Sequence, residues 1–306
     1  MKNLLIRPQI SIIIVSYNCW DYLDACLKSL SLIDEPHEVI VVDNNSGDDT
    51  DKNMRTIYPQ HLFLANNYNA GFSLANNQGF VKATGKYVLF LNPDAALTDK
   101  NYRKAIVHLE KNSNDIVGPK LLNTDGSDQD SVFEVSNVKS IFMEAFFLSY
   151  FIKKSLTEIL SQKNIGLSGA CLLMNAELYK KLAGFNNNLF WMEDIDLCRR
   201  AVANGGNLLY LPEWQVLHHV GQSGKKNYNV AIANQLISKL KYMRMYASWS
   251  LNLLASLGIA LHILFRMLVF GVLSPFKAVY RSKFFAYCHT QTVFFKYIFT
   301  GKTNGF

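Results

Sequence analysis

The sequence predicts an α/β fold, in which a mostly parallel, Rossmann-like sheet is flanked by helices and followed by a C-terminal helical segment. Apolar runs alternate with helical patterns over residues 10–91, as in the βαβ units of parallel sheets. Residues 87–91 are apolar without interruption, which is typical of a central strand buried on both faces. We expect an α/β domain over residues 1–228 and a helical tail over residues 229–306.

The first βαβ unit lies at the start of the chain. Residues 10–15 are a β-branched run that stops at Ser16, residues 19–30 carry apolar side chains at helical spacing, and residues 38–42 form a second buried run that ends at Asp43. No Gly-x-Gly-x-x-Gly occurs in this unit, so it lacks the fingerprint of dinucleotide binding.

The central strand is preceded by a loop rich in Asn and Gly. Residues 61–65 have the pattern of a short strand, the loop covers residues 66–72, and residues 73–83 have a helical pattern. Loops that approach a ligand closely need such residues, although a plain long turn contains them too. After the central strand, Pro93 ends the ladder and makes Asp94 the first side chain beyond the sheet edge. Ligands of open α/β sheets bind at that edge, but an isolated Asp there is equally well a turn residue.

The middle of the chain is the least regular part. Thr98 or Asp99 begins a helix that runs to about Lys111, and residues 116–122 form a strand. Residues 123–165 have mixed periodicity, which favours helices of an inserted segment near the substrate.

A cluster of carboxylates follows an aromatic stretch later in the chain. Glu193, Asp194 and Asp196 begin a helix directly after Trp191. Acids suit a helix N-terminus for electrostatic reasons alone. The preceding aromatic residues suit a pocket wall instead.

Three further runs complete the strand pattern. Residues 168–174 and 207–211 are buried runs, the second ending at Pro212, and a short third run opens into a Gly/Ser loop. His218 and His219 stand at the end of this third run. A lone histidine is more often structural, but two adjacent ones at a strand end are candidate metal ligands.

The composition is that of a folded protein that contacts a membrane. The 306 residues are 49% hydrophobic and 18% charged, with a net charge of +7 and no acid after Glu213. A basic region that is also apolar and aromatic indicates an anionic membrane surface and not nucleic acid.

Five scattered cysteines without a Cys-x-x-Cys pair indicate buried thiols in a reducing compartment. The chain begins without an apolar stretch long enough for a signal peptide, so we expect it in the cytoplasm.

The tail contains one long apolar run. Residues 251–273 could span a bilayer by length, but Arg266 near the middle would cost about 2.5–3.5 kcal/mol. On a helical wheel, His262, Arg266, Lys277 and Arg281 share an arc of about 100°. This pattern favours helices that lie in the membrane interface over a spanning pair. A helix packed on the α/β domain, or a contact between copies of the chain, stays open.

Six motifs in this order resemble those of the family 2 glycosyltransferases, which have a GT-A fold. Within that family the chain looks most like the rhamnosyltransferase-type enzymes of bacterial surface polysaccharides. The resemblance covers about residues 10–225. It rests on the runs IIIVSYN (12–18), VVDNNS (41–46), NAGF (69–72) with ANNQG (75–79), FLNPD (90–94), EDID (193–196) and HHVGQS (218–223).

The resemblance implies a dTDP- or UDP-linked sugar donor, a Mg²⁺ or Mn²⁺ ion and inversion at the anomeric carbon. Asp94 matches the second acid of the family's Asp-x-Asp motif, Asn92 stands in place of the first, and His218 matches its later metal-ligating histidine. His219 has no counterpart. The residues that would form the nucleotide-sugar pocket are Ser16, Tyr17, Asn18, Asp43, Asn69, Gly71, Phe72, Asn76 and Asn92.

Inversion needs a general base that takes a proton from the attacking hydroxyl. Asp194 matches the family's base, Glu193 is the alternative, and we expect Asp196 to be structural. The branch usually carries Phe-Asp-Glu shortly before this motif, where the present chain has Phe185-Asn186-Asn187. The chain therefore lacks two negative charges that this branch usually carries on the acceptor side of the site.

Together these features predict a glycosyltransferase on the cytoplasmic face of the bacterial inner membrane, peripheral or monotopic. It would transfer a hexose, with rhamnose the leading candidate, to a glycan or lipid-linked acceptor in cell-surface polysaccharide (O-antigen) synthesis. Residues 123–165 would then be an acceptor-side insertion, and a homo-oligomer stays open.

Two alternatives have different requirements. Another nucleotide-binding enzyme, such as a nucleotidyltransferase, would need a basic phosphate loop after the first strand, and residues 16–19 contain no Lys or Arg. A non-catalytic, membrane-associated protein of the same fold would have no need to keep Asp94, Asp194 and His218.

Overall fold

The chain folds into two compact units. The computed structural model describes residues 8–152, 154–162, 164–219 and 228–302, apart from the side chains of 228 and 229. The first unit comprises Met1–Phe133, Lys163–Asn187 and Glu193–Ser223; the second comprises Glu134–Gln162, Asn188–Met192 and Gly224–Phe306. The predicted domain boundary at residue 228 and the acceptor-side role of residues 123–165 stay predictions.

The helices and strands follow one another in a regular order along the described chain. They are β1 (Ile10–Ser16), α1 (Trp20–Ser29), β2 (His37–Asp43), α2 (Thr50–Ile57), β3 (Leu62–Ala65), α3 (Gly71–Lys82), β4 (Tyr87–Leu91), β5 (Ala95–Leu97), α4 (Tyr102–Lys111), β6 (Ile116–Leu122), β7 (Asp128–Gln129), β8 (Val132–Glu134), α5 (Val138–Ala145), α6 (Leu156–Leu160), β9 (Ile165–Leu167), β10 (Cys171–Asn175), α7 (Ala176–Lys181), α8 (Glu193–Ala203), β11 (Leu208–His218), α9 (Tyr228–Tyr246), α10 (Trp249–Leu273) and α11 (Ala278–Thr300).

The main sheet has the strand order β3-β2-β1-β4-β10-β6-β11-β5, with β7 paired to β6. The first four of these strands are parallel, β10 is antiparallel to both β4 and β6, and β11 is parallel to β6. Because β1, β2 and β4 run in one direction, their carboxyl ends lie at the same edge of the sheet. The predicted α/β fold is confirmed, and this edge is where its site is expected.

The strand predicted to end at Pro212 does not end there. β11 continues to His218, and its pairing with β6 shifts register between Leu211 and Gln215. Such a bulge accommodates Pro212, which cannot donate to a ladder. One continuous strand therefore carries the chain to His218 at the sheet edge.

The segment 123–165 is only partly helical. Helices were predicted there, and α5 and α6 are present, but β7 pairs antiparallel to β6 and β8 pairs with β9. The mixed periodicity of this segment reflects short strands that alternate with short helices.

The second unit has its own apolar core, built from α5, α9, α10 and α11. Gly258 on α10 allows the close approach of α5, because a Cβ atom there would lie 2.9 Å from side-chain atoms of both Ile141 and Phe142. The buried apolar residues of this core include Ile141, Leu236, Ile237, Leu240, Ala255, Ile259, Ile263, Phe270, Tyr287, Phe294 and Tyr297.

The predicted basic stripe on the tail is wrong for two of its four members. His262 and Arg266 are buried, whereas Lys277 and Arg281 are exposed. Arg266 donates to the Glu144 carbonyl oxygen at 2.8 Å and lies over the Phe147 ring. Burial, with a smaller effect of nearby cations, lowers the pKa of His262 to about 3. The helical wheel treated the tail as one helix, whereas α10 ends at Leu273 and α11 begins at Ala278, so the four residues do not share one face.

The opposite face of α10 is apolar and exposed. In the part of the chain that the structure describes, α10 is the helix long and apolar enough to cross a membrane, with a mean hydropathy of 2.1. We call its exposed residues the apolar face of α10; they are Leu253, Leu257, Leu264, Leu268 and Val272. Apolar faces of this kind mark contacts with membranes or with other proteins.

Replacement of Gly79 by Ala is expected to destabilise the first unit. A Cβ atom at this position would lie 2.6 Å from Ile13 Cγ2 and 3.2 Å from Val42 Cγ2, so α3 would be pushed off the sheet. We expect the free energy of unfolding to fall by about 1–3 kcal/mol, which exceeds the helix-propensity gain of about 0.5–1 kcal/mol. Urea denaturation measures this change.

The control for this experiment is Val81→Ala on the same helix. Val81 is 78% exposed, so its replacement should change the free energy of unfolding by no more than about 0.5 kcal/mol. An unchanged or higher urea midpoint for Gly79→Ala would contradict the close packing of α3 on the sheet.

Candidate active site

The ends of β1 and β2 form one side of the site. Ser16 and Asp43 are in register and both are buried. Asp43 accepts hydrogen bonds from the Ser46 N–H at 2.9 Å and from the Ser46 hydroxyl at 2.5 Å. Burial raises the pKa of Asp43, and the two bonds from Ser46 act in the opposite direction. Asp43 is therefore held in one orientation at the sheet edge.

Asn18 joins this cluster through its side chain and backbone. Its N–H donates to the Ser46 hydroxyl at 2.8 Å, and its Oδ1 accepts the Gly47 N–H at 2.6 Å. Its φ of 52° lies in the left-handed region, which Asn tolerates better than most residues. Tyr17 is half-buried. The structure thus joins Asn18 and Asp43 through Ser46, and their role in a nucleotide-sugar pocket stays a prediction.

The Asn- and Gly-rich loop is fastened to the same edge by Asn44. The Asn44 amide donates to the Gly71 carbonyl oxygen at 3.2 Å and accepts the Ala70 N–H at 3.3 Å. Asn69 Oδ1 in turn accepts the Gly71 N–H at 2.9 Å. These bonds hold the loop beside the end of β2.

Phe72 and Asn76 lie in the first turns of α3. The Phe72 ring packs against the Phe185 ring, with 5.2 Å between centroids. Asn76 is buried and donates to the Phe72 carbonyl oxygen at 2.9 Å within its own helix. The contribution of these two side chains to a sugar pocket stays a prediction.

Asn92, Asp94 and His218 come together although 124 residues separate Asp94 from His218 in the sequence. His218 Nε2 lies 3.3 Å from Asp94 Oδ1 and 3.3 Å from Asn92 Nδ2. The His219 N–H donates to the Asp94 carbonyl oxygen at 2.9 Å, and the His219 ring packs on Tyr22. Backbone pairing thus sets the distance between the two predicted metal ligands.

The chemistry of this pair fits a divalent cation that is shared with a diphosphate. Across the residues that the structure describes, no group of three or more His, Cys, Asp or Glu side chains is arranged to hold a metal. Mg²⁺ commonly takes only one or two carboxylates, and substrate phosphates and water complete its coordination. Asp94 supplies one carboxylate, the type of ligand that suits Mg²⁺ and Mn²⁺, and the His218 imidazole adds a nitrogen ligand.

Asp194 lies against a tight loop between β9 and β10. Its Oδ2 accepts the Gly169 N–H at 2.8 Å, and its Oδ1 accepts the Ile195 N–H at 2.8 Å. A Cβ atom at Gly169 would lie 3.1 Å from the Asp194 Cβ, so only glycine permits this approach without adjustment. Burial raises the pKa of Asp194, while the backbone bonds oppose the rise.

The loop of residues 168–170 connects Asp194 with the Asn92–Asp94 turn. Its Ala170 carbonyl oxygen accepts the Asn92 N–H at 2.9 Å, and its Gly169 N–H donates to Asp194. Two short contacts therefore link the candidate cation site to the candidate base.

Asp196 is a structural residue of α8, as expected. It is fully buried and forms an ion pair with Arg200 at 2.6 Å. Arg200 also donates to the carbonyl oxygens of Leu182 and Gly184. This network fixes the orientation of the helix that carries Glu193 and Asp194.

Sequence reasoning missed the residues that hold the site together. Ser46, Gly169 and Gln129 all bond to predicted site residues, and Gln129 contacts both the ring and the carbonyl oxygen of His218. Of these three residues, only Ser46 could have been found from the local sequence, because it lies three residues after the predicted site residue Asp43. The Gly/Ser loop that was predicted to follow His219 lies outside the described residues.

The fold and the site together define a class of protein. A mixed sheet flanked by helices, with carboxylates at the ends of its parallel strands, has the architecture of a GT-A glycosyltransferase. Residues 11–183, more than half of the chain, match the family model of Glycosyl transferase family 2. The chain belongs to this family and is a glycosyltransferase, so the predicted resemblance is confirmed.

Several proteins of known name or structure are similar to the chain. An N-acetylglucosaminyl-diphospho-decaprenol L-rhamnosyltransferase of Mycobacterium tuberculosis is 27% identical over 69% of this chain and 76% of its own length. Rhamnosyltransferase WbbL of Escherichia coli is 26% identical over 76% of this chain and 91% of its own length. The mannosyltransferase PcManGT of Pyrobaculum calidifontis, solved with GDP-Man and Mn²⁺, has a TM-score of 0.58 at 15% identity and covers 97% of this chain and 89% of its own. This last likeness supports the GT-A fold alone.

Proposed function

We propose that this glycosyltransferase transfers rhamnose or a related hexose from a dTDP- or UDP-linked donor to a glycan or lipid-linked acceptor. The reaction would invert the anomeric carbon, require Mg²⁺ or Mn²⁺, and serve cell-surface polysaccharide synthesis. The names of the two rhamnosyltransferase relatives support the sugar and the acceptor class.

One observation carries the proposal. The Asp94–His218 pair and the half-buried Asp194 carboxylate are connected by the single loop of residues 168–170. An inverting transfer needs charge stabilisation at the diphosphate and a base at the acceptor hydroxyl, one on each side of the anomeric carbon. This arrangement offers both within one unit of the chain.

The residues have separate tasks in this proposal. Asp43 and Asn18 hold the nucleoside, and Asp94 and His218 would hold the cation, which neutralises charge on the diphosphate when it is bound. Asp194 takes the proton of the acceptor hydroxyl as its oxygen bonds to the anomeric carbon. The bond from that carbon to the diphosphate oxygen breaks, and nucleoside diphosphate leaves with the electron pair.

A donor screen tests the proposed reaction. Full-length protein is incubated with thymidine- and uridine-linked sugars and a lipid-linked acceptor, and released nucleoside diphosphate is measured. We expect the highest turnover with dTDP-rhamnose and a product of inverted configuration by NMR. Retention of configuration, or no turnover with any of these donors, would overturn the proposal.

We further propose that the apolar face of α10 binds the cytoplasmic face of the membrane. This face is exposed, and Phe285, Phe295 and Phe299 on α11 add exposed aromatic side chains. Interfacial helices gain from apolar burial, and basic residues near anionic lipid add about 1 kcal/mol each. Lys277 and Arg281 remain exposed for that role.

Removal of the Asp94 carboxylate is expected to abolish transfer. Asp94→Ala takes away the carboxylate that faces His218 at 3.3 Å, so the cation loses its anionic protein ligand. Turnover with added Mn²⁺ should fall below detection, and circular dichroism should show an unchanged fold. Full wild-type activity in excess chelator would contradict the metal requirement.

Replacement of Asp194 by Asn tests the general base. The side chain keeps its size but cannot accept a proton, so kcat should fall by about 10²–10⁴-fold, while nucleotide affinity stays unchanged. Glu193→Gln on the same helical turn is the matched control and should cost far less. A larger loss in kcat from Glu193→Gln would move the assignment to Glu193.

The same residue sets the expected pH dependence. Because burial raises the pKa of Asp194, the carboxylate is protonated and inactive at pH values where an exposed Asp would already be ionised. Activity should therefore rise with pH through a limb that lies above the usual aspartate range of about 3.9. Loss of this limb in Asp194→Asn would support the assignment, and its persistence there would contradict it.

Charges on the apolar face of α10 are expected to release the protein from membranes. Leu264 and Leu268 are 52% and 65% exposed, so Leu264→Glu with Leu268→Glu should leave the fold intact. Burial of each leucine contributes roughly 1.5–3 kcal/mol, and flotation with anionic liposomes should therefore fall more than ten-fold. Transfer to lipid-linked acceptors should fall more than transfer to short soluble ones.

Val107→Glu, at an exposed position of α4 in the first unit, is the control and should float as the wild type does. If the wild type itself stayed in the soluble fraction at low salt and sedimented as a dimer, a second copy of the chain would cover this face instead.

A further inference from the structure

Gln129 makes two hydrogen bonds to His218 and a third to Asn123. Its Oε1 lies 2.7 Å from His218 Nδ1, and its Nε2 donates to the His218 carbonyl oxygen at 3.1 Å and to Asn123 Oδ1 at 2.9 Å. Gln129 is half-buried on β7. One amide group thus contacts both the ring and the backbone of the candidate metal ligand.

These contacts determine the tautomer of His218. Both partners of Gln129 Nε2 are oxygens that can only accept, so the amide oxygen is the atom that faces Nδ1. An amide oxygen accepts but never donates, so Nδ1 carries the proton. The neutral ring then has its lone pair on Nε2, which lies 3.3 Å from both the Asn92 amide nitrogen and Asp94 Oδ1.

A short turn holds Gln129 in place. Asn123 donates to Ser127 Oγ at 3.0 Å and to the Asp128 carbonyl oxygen at 3.2 Å. Asp125 accepts the Ser127 N–H at 2.9 Å. The hairpin between β6 and β7 is therefore ordered by its own side chains before it contacts His218.

We propose that Gln129 is a positioning residue that fixes His218 in the tautomer whose Nε2 lone pair faces Asp94. Metal-ligating histidines usually donate their other ring N–H to a fixed acceptor, and loss of that acceptor typically weakens metal binding about 10–100-fold. The tautomer follows from the hydrogen bonds alone, whereas its use for a cation rests on the proposed function.

The first test reads the tautomer directly in full-length protein without metal. NMR of ¹⁵N-labelled histidine at pH of about 8, where free imidazole is neutral, distinguishes protonated from unprotonated ring nitrogens. His218→Ala identifies the His218 signals. We expect protonated Nδ1 in the wild type and in Gln129→Glu, which keeps an acceptor, and a mixture of tautomers in Gln129→Leu and Gln129→Ala.

Asp128→Asn is the matched control, because Asp128 precedes Gln129 in the same strand and is exposed and paired with Lys120. It should leave the His218 signals unchanged. The proposal is overturned if Gln129→Leu and Gln129→Ala, shown by circular dichroism to be folded, keep the wild-type tautomer.

The second test measures Mn²⁺ affinity by electron paramagnetic resonance, with Mn²⁺ alone and with UDP or dTDP. We expect the dissociation constant to rise about 10–100-fold in Gln129→Leu and to stay near the wild-type value in Gln129→Glu and Asp128→Asn. Equal affinity of Gln129→Leu and wild type would overturn the positioning role. Failure of the wild type to bind Mn²⁺ at all would overturn the proposed cation role itself, whatever tautomer the NMR shows.

Discussion

The hydrogen bond from the Asn92 N–H to the Ala170 carbonyl oxygen, 2.9 Å long, is the contact on which the site depends. It continues the β4–β10 pairing by one step beyond the Leu91–Cys171 pair. Because β10 is antiparallel to β4, its amino end lies at the edge where β4 has its carboxyl end. A wholly parallel sheet would place the loop before β10 at the opposite edge, far from Asp94.

The antiparallel strand gives the two candidate catalytic carboxylates different surroundings. Asp94 lies 3.3 Å from the imidazole of His218. Asp194 is half-buried and faces two backbone N–H groups, and desolvation raises its pKa. The two carboxylates therefore have separate surroundings, as in active sites that divide tasks between two acidic groups.

Those parts of the site that follow directly from strand ends could be predicted from the sequence. Ser16, Asp43 and Asp94 each stand at or just past the end of a buried run, and His218 was one of two adjacent candidates at a strand end. The fold was predictable for the same reason, since alternating apolar runs and helical patterns are local signals.

The supporting residues could not be predicted, because their contacts cross long stretches of sequence. Gln129 is 89 residues from His218, and Gly169 is 25 residues from Asp194. Neither belongs to a motif with a local period. The predicted end of a strand at Pro212 failed because a bulge, which depends on pairing with β6, tolerates proline.

In the second unit, too, contacts between distant parts of the sequence could not be predicted. These contacts affect how the unit could bind a membrane. Lys239 forms an ion pair with Glu144, and Arg266 donates to the carbonyl oxygen of that same residue. The basic groups on this side of α10 are therefore used inside the helical core and leave its other face apolar. The proposed membrane binding through this face would depend on buried area more than on ionic attraction, and it should then persist at salt concentrations that screen exposed Lys and Arg.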